Sequence, residues 1–314
     1  PPTPGLPLEE MRARRGSVGA PPNVDEPMDV AAAARLRDER VPASDGLLTV
    51  GINIRGPARS TAEVFRREIE DARTHGLPIA MHCAGTKAEI GKIRQVQVLA
   101  EAGLLGPDLL FAHGNHLPAD DIALVAEHGI PMSVSPMVEL RLAMGFLQVA
   151  EFHAAGIRTT FSLDTTAIAA AADPITAMRL AIGLEGVRNG NPESLAPRRA
   201  LEMATIEGAR ALGLGERTGS ITPGKRADLV LVRADTLNVA PVVDPAVAVV
   251  HGAGPANVDT VMVDGRVLKR GGRLTAAEPA AIVTEAEERP APLGGGAGLD
   301  PPRRPAAATP ATAH

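Results

Sequence analysis

Short apolar runs recur five times between positions 47 and 163, and a helix-length amphipathic stretch follows each one. The runs are Leu47–Ile54, Pro78–Cys83, Asp108–His113, Ile130–Ser135 and Arg158–Leu163. Helices are expected from Ser60 to about Gly76, over Lys87–Ala102 and Ala119–His128, through Val149, and onward from Asp173-Pro174. Ser60-Thr61-Ala62-Glu63 has the form of a capping box with Ser60 as N-cap. Asp before Pro at a first helical position is a good start signal. Strands separated by helices of this length run parallel. Five βα units therefore fill about residues 47–190, and the fold class is α/β.

The flanks read differently. Residues 1–28 are rich in Pro, Gly and charge and suggest an irregular or disordered segment. A helix over 29–40 places Val30, Ala33, Leu36 and Arg37 on one stripe. Ser194–Leu214 is helical in pattern. Beyond it, Gly219–Val232 and Val258–Leu268 read as short strands, with Asp264-Gly265 as a hairpin signal. The sequence from 273 to 314 decays into Ala, Pro, Gly and Glu and reads as a disordered tail.

Three of the five runs stop at a potential metal ligand: His82, His113 and Asp164. Side chains at the C-terminal ends of parallel strands converge on one spot. Two neutral imidazoles and a carboxylate suit zinc or another divalent first-row metal, iron included. Each residue alone is a plausible polar strand cap, and it is the ordered trio that points to a site. Arg55 ends the first run on the same rim and is a candidate substrate contact.

Composition removes several function classes. The 314 residues carry 32 basic and 37 acidic side chains, a net charge of −5, with no basic block for nucleic acid or an anionic membrane. No apolar run is long enough to span a bilayer, and residues 1–20 lack a secretory signal. The core must be aliphatic, since there are five Phe and no Trp or Tyr. The single cysteine, Cys83, excludes an internal disulfide and fits a reducing cytoplasm. Beside His82 on a strand it points to the opposite face, as a buried small hydrophobe. The chain opens on Pro1 without Met, which points to processing or an incomplete sequence.

From about residue 30 to 272 the sequence resembles the amidohydrolase superfamily, in the branch of cytosine, adenosylhomocysteine and triazine deaminases and chlorohydrolases. The likeness is most specific in Ala204-Thr205, Gly208–Leu214, Gly219–Val232 and Val263-Asp264-Gly265-Arg266, which look like the family's last helix and its return into a β-sandwich. Lys225 and Asp228 fall there and are read as structural. The resemblance implies a (β/α)8 TIM-type barrel of the amidohydrolase type with a small C-terminal β-sandwich part. It implies that His82 is a metal ligand at strand five. His113 at strand six would hold substrate or the metal-bound water. Asp164 at strand eight would be a metal ligand and catalytic base. A divalent metal would bring the attacking water's pKa toward neutrality, and Asp164 would pass its proton to the leaving group. The substrate class implied is a cyclic, nitrogen-rich small molecule that loses an amino group or chlorine.

Two departures stand against the family pattern. The His-x-His pair of the first barrel strand occurs nowhere in the chain, and only 46 residues precede the first visible strand. Three further βα units would need some 90 residues, so the N-terminal strands are missing, along with part of the sandwich. The proton-shuttling Glu expected three residues after His82 is Gly85. Glu89 and Glu139 are alternatives, each equally readable as a solvated loop carboxylate; Glu139 is also a candidate substrate contact beside Arg55.

The sequence thus divides into an irregular segment 1–28, a partial barrel 29–214, a composite sandwich segment 215–272 and a tail 273–314. The expected activity is metal-dependent hydrolysis of non-peptide carbon–nitrogen bonds, with the metal weakly held. The alternatives are a catalytically impaired, truncated paralogue serving as a partner subunit, and a doubly wound binding protein without metal. Open barrel edges imply a homo-oligomer or dependence on a partner.

Overall fold

Parallel pairing of five strands builds the larger part of the molecule. The computed structural model describes residues 24–42 and 46–288; most of the expected N-terminal irregular segment and the end of the expected tail lie outside the described residues. The strands are β1 (Ile52–Ile54), β2 (Ile79–Cys83), β3 (Leu109–His113), β4 (Met132–Val134) and β5 (Thr159–Phe161). They lie side by side in chain order and are all parallel. This is the α/β arrangement of a TIM-type barrel wall. Among the described residues, no strand pairs with the outer edge of β1 or β5.

Alternation along the central strands sorts their side chains. Ile79, Met81 and Cys83 of β2 are buried while Ala80 and His82 are half-buried. In β3, Leu109 and Phe111 are buried and Leu110 and Ala112 are half-buried. One face packs into an aliphatic core with Ile69, Leu99 and Phe152, and the other carries the half-buried positions. Cys83 has no exposed surface and lies opposite His82 as strand parity requires. Burial pushes its thiol pKa up, which makes it an inert packing residue.

Several helices differ from their sequence patterns. The first connecting helix begins at Ala62, with Thr61 as N-cap and no side-chain cap bond. Ser60 is buried and its Oγ donates to the Gly56 carbonyl at 2.9 Å, so it closes the preceding turn rather than forming a capping box. The stretch 87–102 is two helices, Lys87–Ile90 and Gln95–Glu101, because Gly91 ends the first. A helix over Pro136–Arg141 stops before Ala143 and Gly145, whose φ angles are 52° and 114°, and a second runs over Val149–Ala154. Ser194–Leu214 likewise resolves into Pro197–Met203 and Ile206–Ala211. Helix Val30–Arg40 buries Val30 and Ala34, leaving Leu36 of the expected stripe exposed. Asp173 does cap Pro174–Asn189, accepting from the Ile175 N–H at 3.0 Å.

A second, antiparallel sheet follows: β6 (Leu229–Val232), β7 (Val258–Val263), β8 (Arg266–Arg270) and β9 (Arg273–Leu274). Asp264 and Gly265 link β7 to β8 with φ angles of 51° and 75°, the two left-handed residues of a type I′ hairpin. Asp228 fixes that turn, accepting from the Asp264 N–H at 2.7 Å and from Thr218 Oγ1 at 2.8 Å. Lys225 donates to the carbonyls of Gly215 and Thr218. Both residues are structural. Within the expected tail, a helix covers Pro279–Glu288, with residues 279–287 exposed.

Candidate active site

His113 ends β3, and strand pairing places it opposite Cys83, on the core-facing side of the sheet. Its φ of 78° breaks the alternation. As a result its ring turns toward His82, the two centroids lying 5.3 Å apart with a 34° tilt. Left-handed backbone at a non-glycine residue is strained, and such strain concentrates at functional sites. Gly114 continues the turn at φ 75°, and a Cβ there would meet Met132 Cε at 2.4 Å. Asp164, beyond β5, is also left-handed at φ 53°, and its Oδ2 stands 3.9 Å from His113 Nε2. The trio expected from the strand ends therefore meets on one rim.

Glu139 fixes the orientation of His113. Its Oε1 lies 3.0 Å from His113 Nδ1 and accepts the Ser135 N–H at 2.7 Å; Oε2 accepts Asn115 Nδ2 at 3.2 Å. A carboxylate taking these donors is an acceptor toward the imidazole as well. Nδ1 therefore donates to Glu139, and Nε2 is the ring nitrogen that faces Asp164. Glu139 is 1% exposed and lies behind His113, so it positions the imidazole and does not meet a substrate as expected. Asn115 went unnoticed in the sequence; a polar residue two past a strand-end histidine was the available signal.

Arg55 is also engaged elsewhere. Its Nε donates to Glu68 Oε1 at 3.2 Å, its Nη2 reaches the same carboxylate and the Glu26 carbonyl, and Glu68 is wholly buried. The guanidinium holds the chain before helix Val30–Arg40 to the barrel wall instead of facing a substrate. Four residues on, Arg59 is half-buried, and its side chain makes no hydrogen bond or ion pair among the described residues. It stands in the turn after β1, on the rim of His82.

Burial pushes the His82 pKa down to about 4, with the Arg59 guanidinium and the neighbouring His113 acting in the same direction and Asp164 opposing them. The ring is neutral at pH 7 and has a lone pair to offer a metal or a polar ligand. At Gly85 a Cβ would lie 3.6 Å from His113 Cδ2 and 3.7 Å from Glu89 Oε2, so Glu89 borders the place of the absent shuttle. Its carboxylate accepts the Gly85 N–H at 3.2 Å and Gln95 Nε2 at 2.9 Å.

These residues do not amount to a metal centre by themselves. Two donors on one zinc at the usual bond length and a tetrahedral angle stand about 3.3 Å apart, closer than His113 and Asp164. No group of three or more His, Cys, Asp or Glu among the described residues is gathered closely enough to hold a metal ion. No described helix is long and apolar enough to cross a membrane.

Similar proteins place this arrangement in a family. A 5-methylthioadenosine/S-adenosylhomocysteine deaminase of Desulforudis audaxviator is 31% identical over 251 residues, covering 78% of this chain and 58% of the relative. A 5′-deoxyadenosine deaminase of Methanosarcina acetivorans is 30% identical over 78% of this chain and 57% of its own length. The chain thus spans somewhat under three fifths of these relatives. Among solved structures, an adenosine deaminase from Xanthomonas campestris with bound zinc superposes with a TM-score of 0.78 at 28% identity, covering 82% of this chain and 60% of that one. An atrazine chlorohydrolase from Arthrobacter aurescens, complexed with zinc, shares the fold at a TM-score of 0.75 and 24% identity, over 82% and 58% of the two chains. The model of the amidohydrolase family matches residues 16–268, most of the sequence. By its fold, its strand-end residues and this match, the chain belongs to the amidohydrolase family.

Proposed function

We propose that this rim serves hydrolysis of a non-peptide carbon–nitrogen bond in a cyclic, nitrogen-rich small molecule, with displacement of a halogen as the chemically equivalent variant. The observation that carries the reading is the turned backbone of His113, which sets its imidazole against His82 and toward Asp164. Naming of the relatives as deaminases of adenosine derivatives supports the substrate class.

Asp164 is the one acidic group of the trio with exposed side-chain surface, at 28%. It takes the proton of the attacking water and delivers it to the departing amine, the work of a general base that becomes a general acid. His113, clamped through Nδ1, presents Nε2 to the water or to a substrate N–H. Neutral His82 and unpaired Arg59 complete the polar rim. Zinc in the related structures supports a divalent metal here, and holding one needs donors beyond His82, His113 and Asp164. In keeping with the sequence divisions, we assign 29–214 to this site and 215–272 to the sandwich, and we place the protein in the cytoplasm.

Ammonia release from 5′-substituted adenosines and aminotriazines, measured with added zinc, tests the reading. Turnover by the native chain that is lost in Asp164→Asn supports it. Absence of turnover across the panel, in metal-loaded folded protein, contradicts it.

A further inference from the structure

The two ends of β5 carry two different clusters. Asp164 lies beyond its C-terminal end, while Arg158 precedes its first residue, roughly 20 Å away along an extended strand. At the Arg158 end a cavity of about 390 Å³ opens between the start of β5 and the helices Val149–Ala154, Pro197–Met203 and Ile206–Ala211. Its charged lining is three guanidiniums, Arg158, Arg199 and Arg210, and one carboxylate, Glu207.

Glu207 gathers the arginines. Arg158 Nε lies 3.2 Å from Oε2, and Arg210 Nη1 and Arg199 Nη1 lie 2.9 and 3.7 Å from Oε1. Each guanidinium carries five N–H groups in a planar fork, so the carboxylate they share leaves most of them without an acceptor among the described residues. Arg199 Nη1 also pairs with Glu202 at 3.2 Å. A fourth residue lines the same space, His153, whose Nε2 is buried beside it and has no hydrogen-bond partner among the described residues. Burial, aided by the Arg199 charge and opposed by Glu207, holds the His153 pKa down to about 4. The ring is therefore neutral at pH 7 and has one N–H to give.

We propose that this cavity is a second site, distinct from the catalytic rim, that binds a small phosphate monoester. The arginine forks take phosphoryl oxygens in the bidentate manner for which guanidinium is suited, and His153 Nε2–H supplies a neutral donor. The volume lies within the range of small-molecule sites and exceeds what a bare ion fills. The organic part of the ester occupies the remainder, against Ile157.

Calorimetric titration of the full chain with glycerol 3-phosphate, inorganic phosphate and glycerol tests the site, with imidazole nitrogen resonances followed in parallel. Glycerol 3-phosphate is expected to saturate below about 1 mM, more tightly than inorganic phosphate, with no response to glycerol. Arg158→Gln and Arg210→Gln should each weaken binding roughly tenfold. His153→Gln, which leaves the ion pairs intact, should weaken it less, and the His153 Nε2 signal should move in the native protein. No saturation, unchanged affinity in folded variants, or a stationary His153 signal overturns the proposal. If an arginine variant fails to fold, the native His153 shift and the His153→Gln affinity decide.

Discussion

His113 Nδ1 stands 3.0 Å from Glu139 Oε1, and this contact joins the strain at the end of β3 to the chemistry of the rim. The buried carboxylate satisfies His113, Asn115 and the Ser135 backbone together. It thereby stabilises a left-handed histidine that strand geometry alone would not adopt. Glu139→Ala leaves those donors buried without an acceptor and should cost about 3 kcal/mol of stability. Glu139→Gln retains an acceptor oxygen and should cost less. Urea denaturation of both variants checks the order; equal loss would show that the carboxylate charge, and not the geometry of its bonds, holds His113.

Glu68 has the same importance beside β1. It is wholly buried and accepts from Arg55 and from the Met28 N–H at 3.1 Å. Glu68→Ala should destabilise by about 3 kcal/mol, since it removes the buried carboxylate that Arg55 and the Met28 N–H share. Arg55→Met should destabilise as well. If Arg55→Met melts as the native protein does yet weakens substrate binding, Arg55 is a substrate contact after all.

The contrast between Arg55 and His113 shows what the sequence makes legible. Short apolar runs separated by helix-length stretches were sufficient for the parallel order β1–β5, and the strand-end rule picked out His82, His113 and Asp164 as residues that the fold brings to one rim. Asp264-Gly265 marked its hairpin because two adjacent residues must take positive φ there. Roles set by long-range partners were not legible. Arg55 meets Glu68 thirteen residues on, and Glu139 meets a histidine twenty-six residues earlier. The breaks in the long helices, at Gly91 and near Gly145, were present as glycines but masked by apolar spacing that continues through them.

Acid should weaken the fold. His82 and His153 are each held to a pKa of about 4, mainly by burial, against an ordinary 6.5. Above pH 6.5 neither folded nor unfolded chain protonates them, and their contribution is fully present. Between 6.5 and 4 the unfolded chain takes up protons that the folded one refuses, so stability falls with pH. The limiting slope is about 1.4 kcal/mol per pH unit for each histidine, reduced by solvent screening of partly exposed rings. Urea midpoints should therefore decline from pH 6.5 to 5, more shallowly in His153→Gln. A midpoint that stays constant over that range would contradict these pKa shifts.

The outer edges of β1 and β5 offer backbone donors and acceptors to another strand. On the second sheet, Val230 and Leu231 are exposed. Sedimentation of the chain at micromolar concentration should accordingly show dimers or larger species. A cooperatively melting monomer would mean that residues outside the described ones cover these edges.

Site-resolved metal titration tests the central claim, that His82, His113 and Asp164 act as one site, most directly. Imidazole nitrogen resonances of His82 and His113 are followed as zinc is added to dialysed protein. Both should shift together, with one shared affinity well short of that of a four-ligand centre, because the donors present do not complete a coordination shell. Asp164→Ala should weaken the response of both histidines. Zinc that leaves His82 and His113 unmoved, or moves them at different concentrations, would contradict the account.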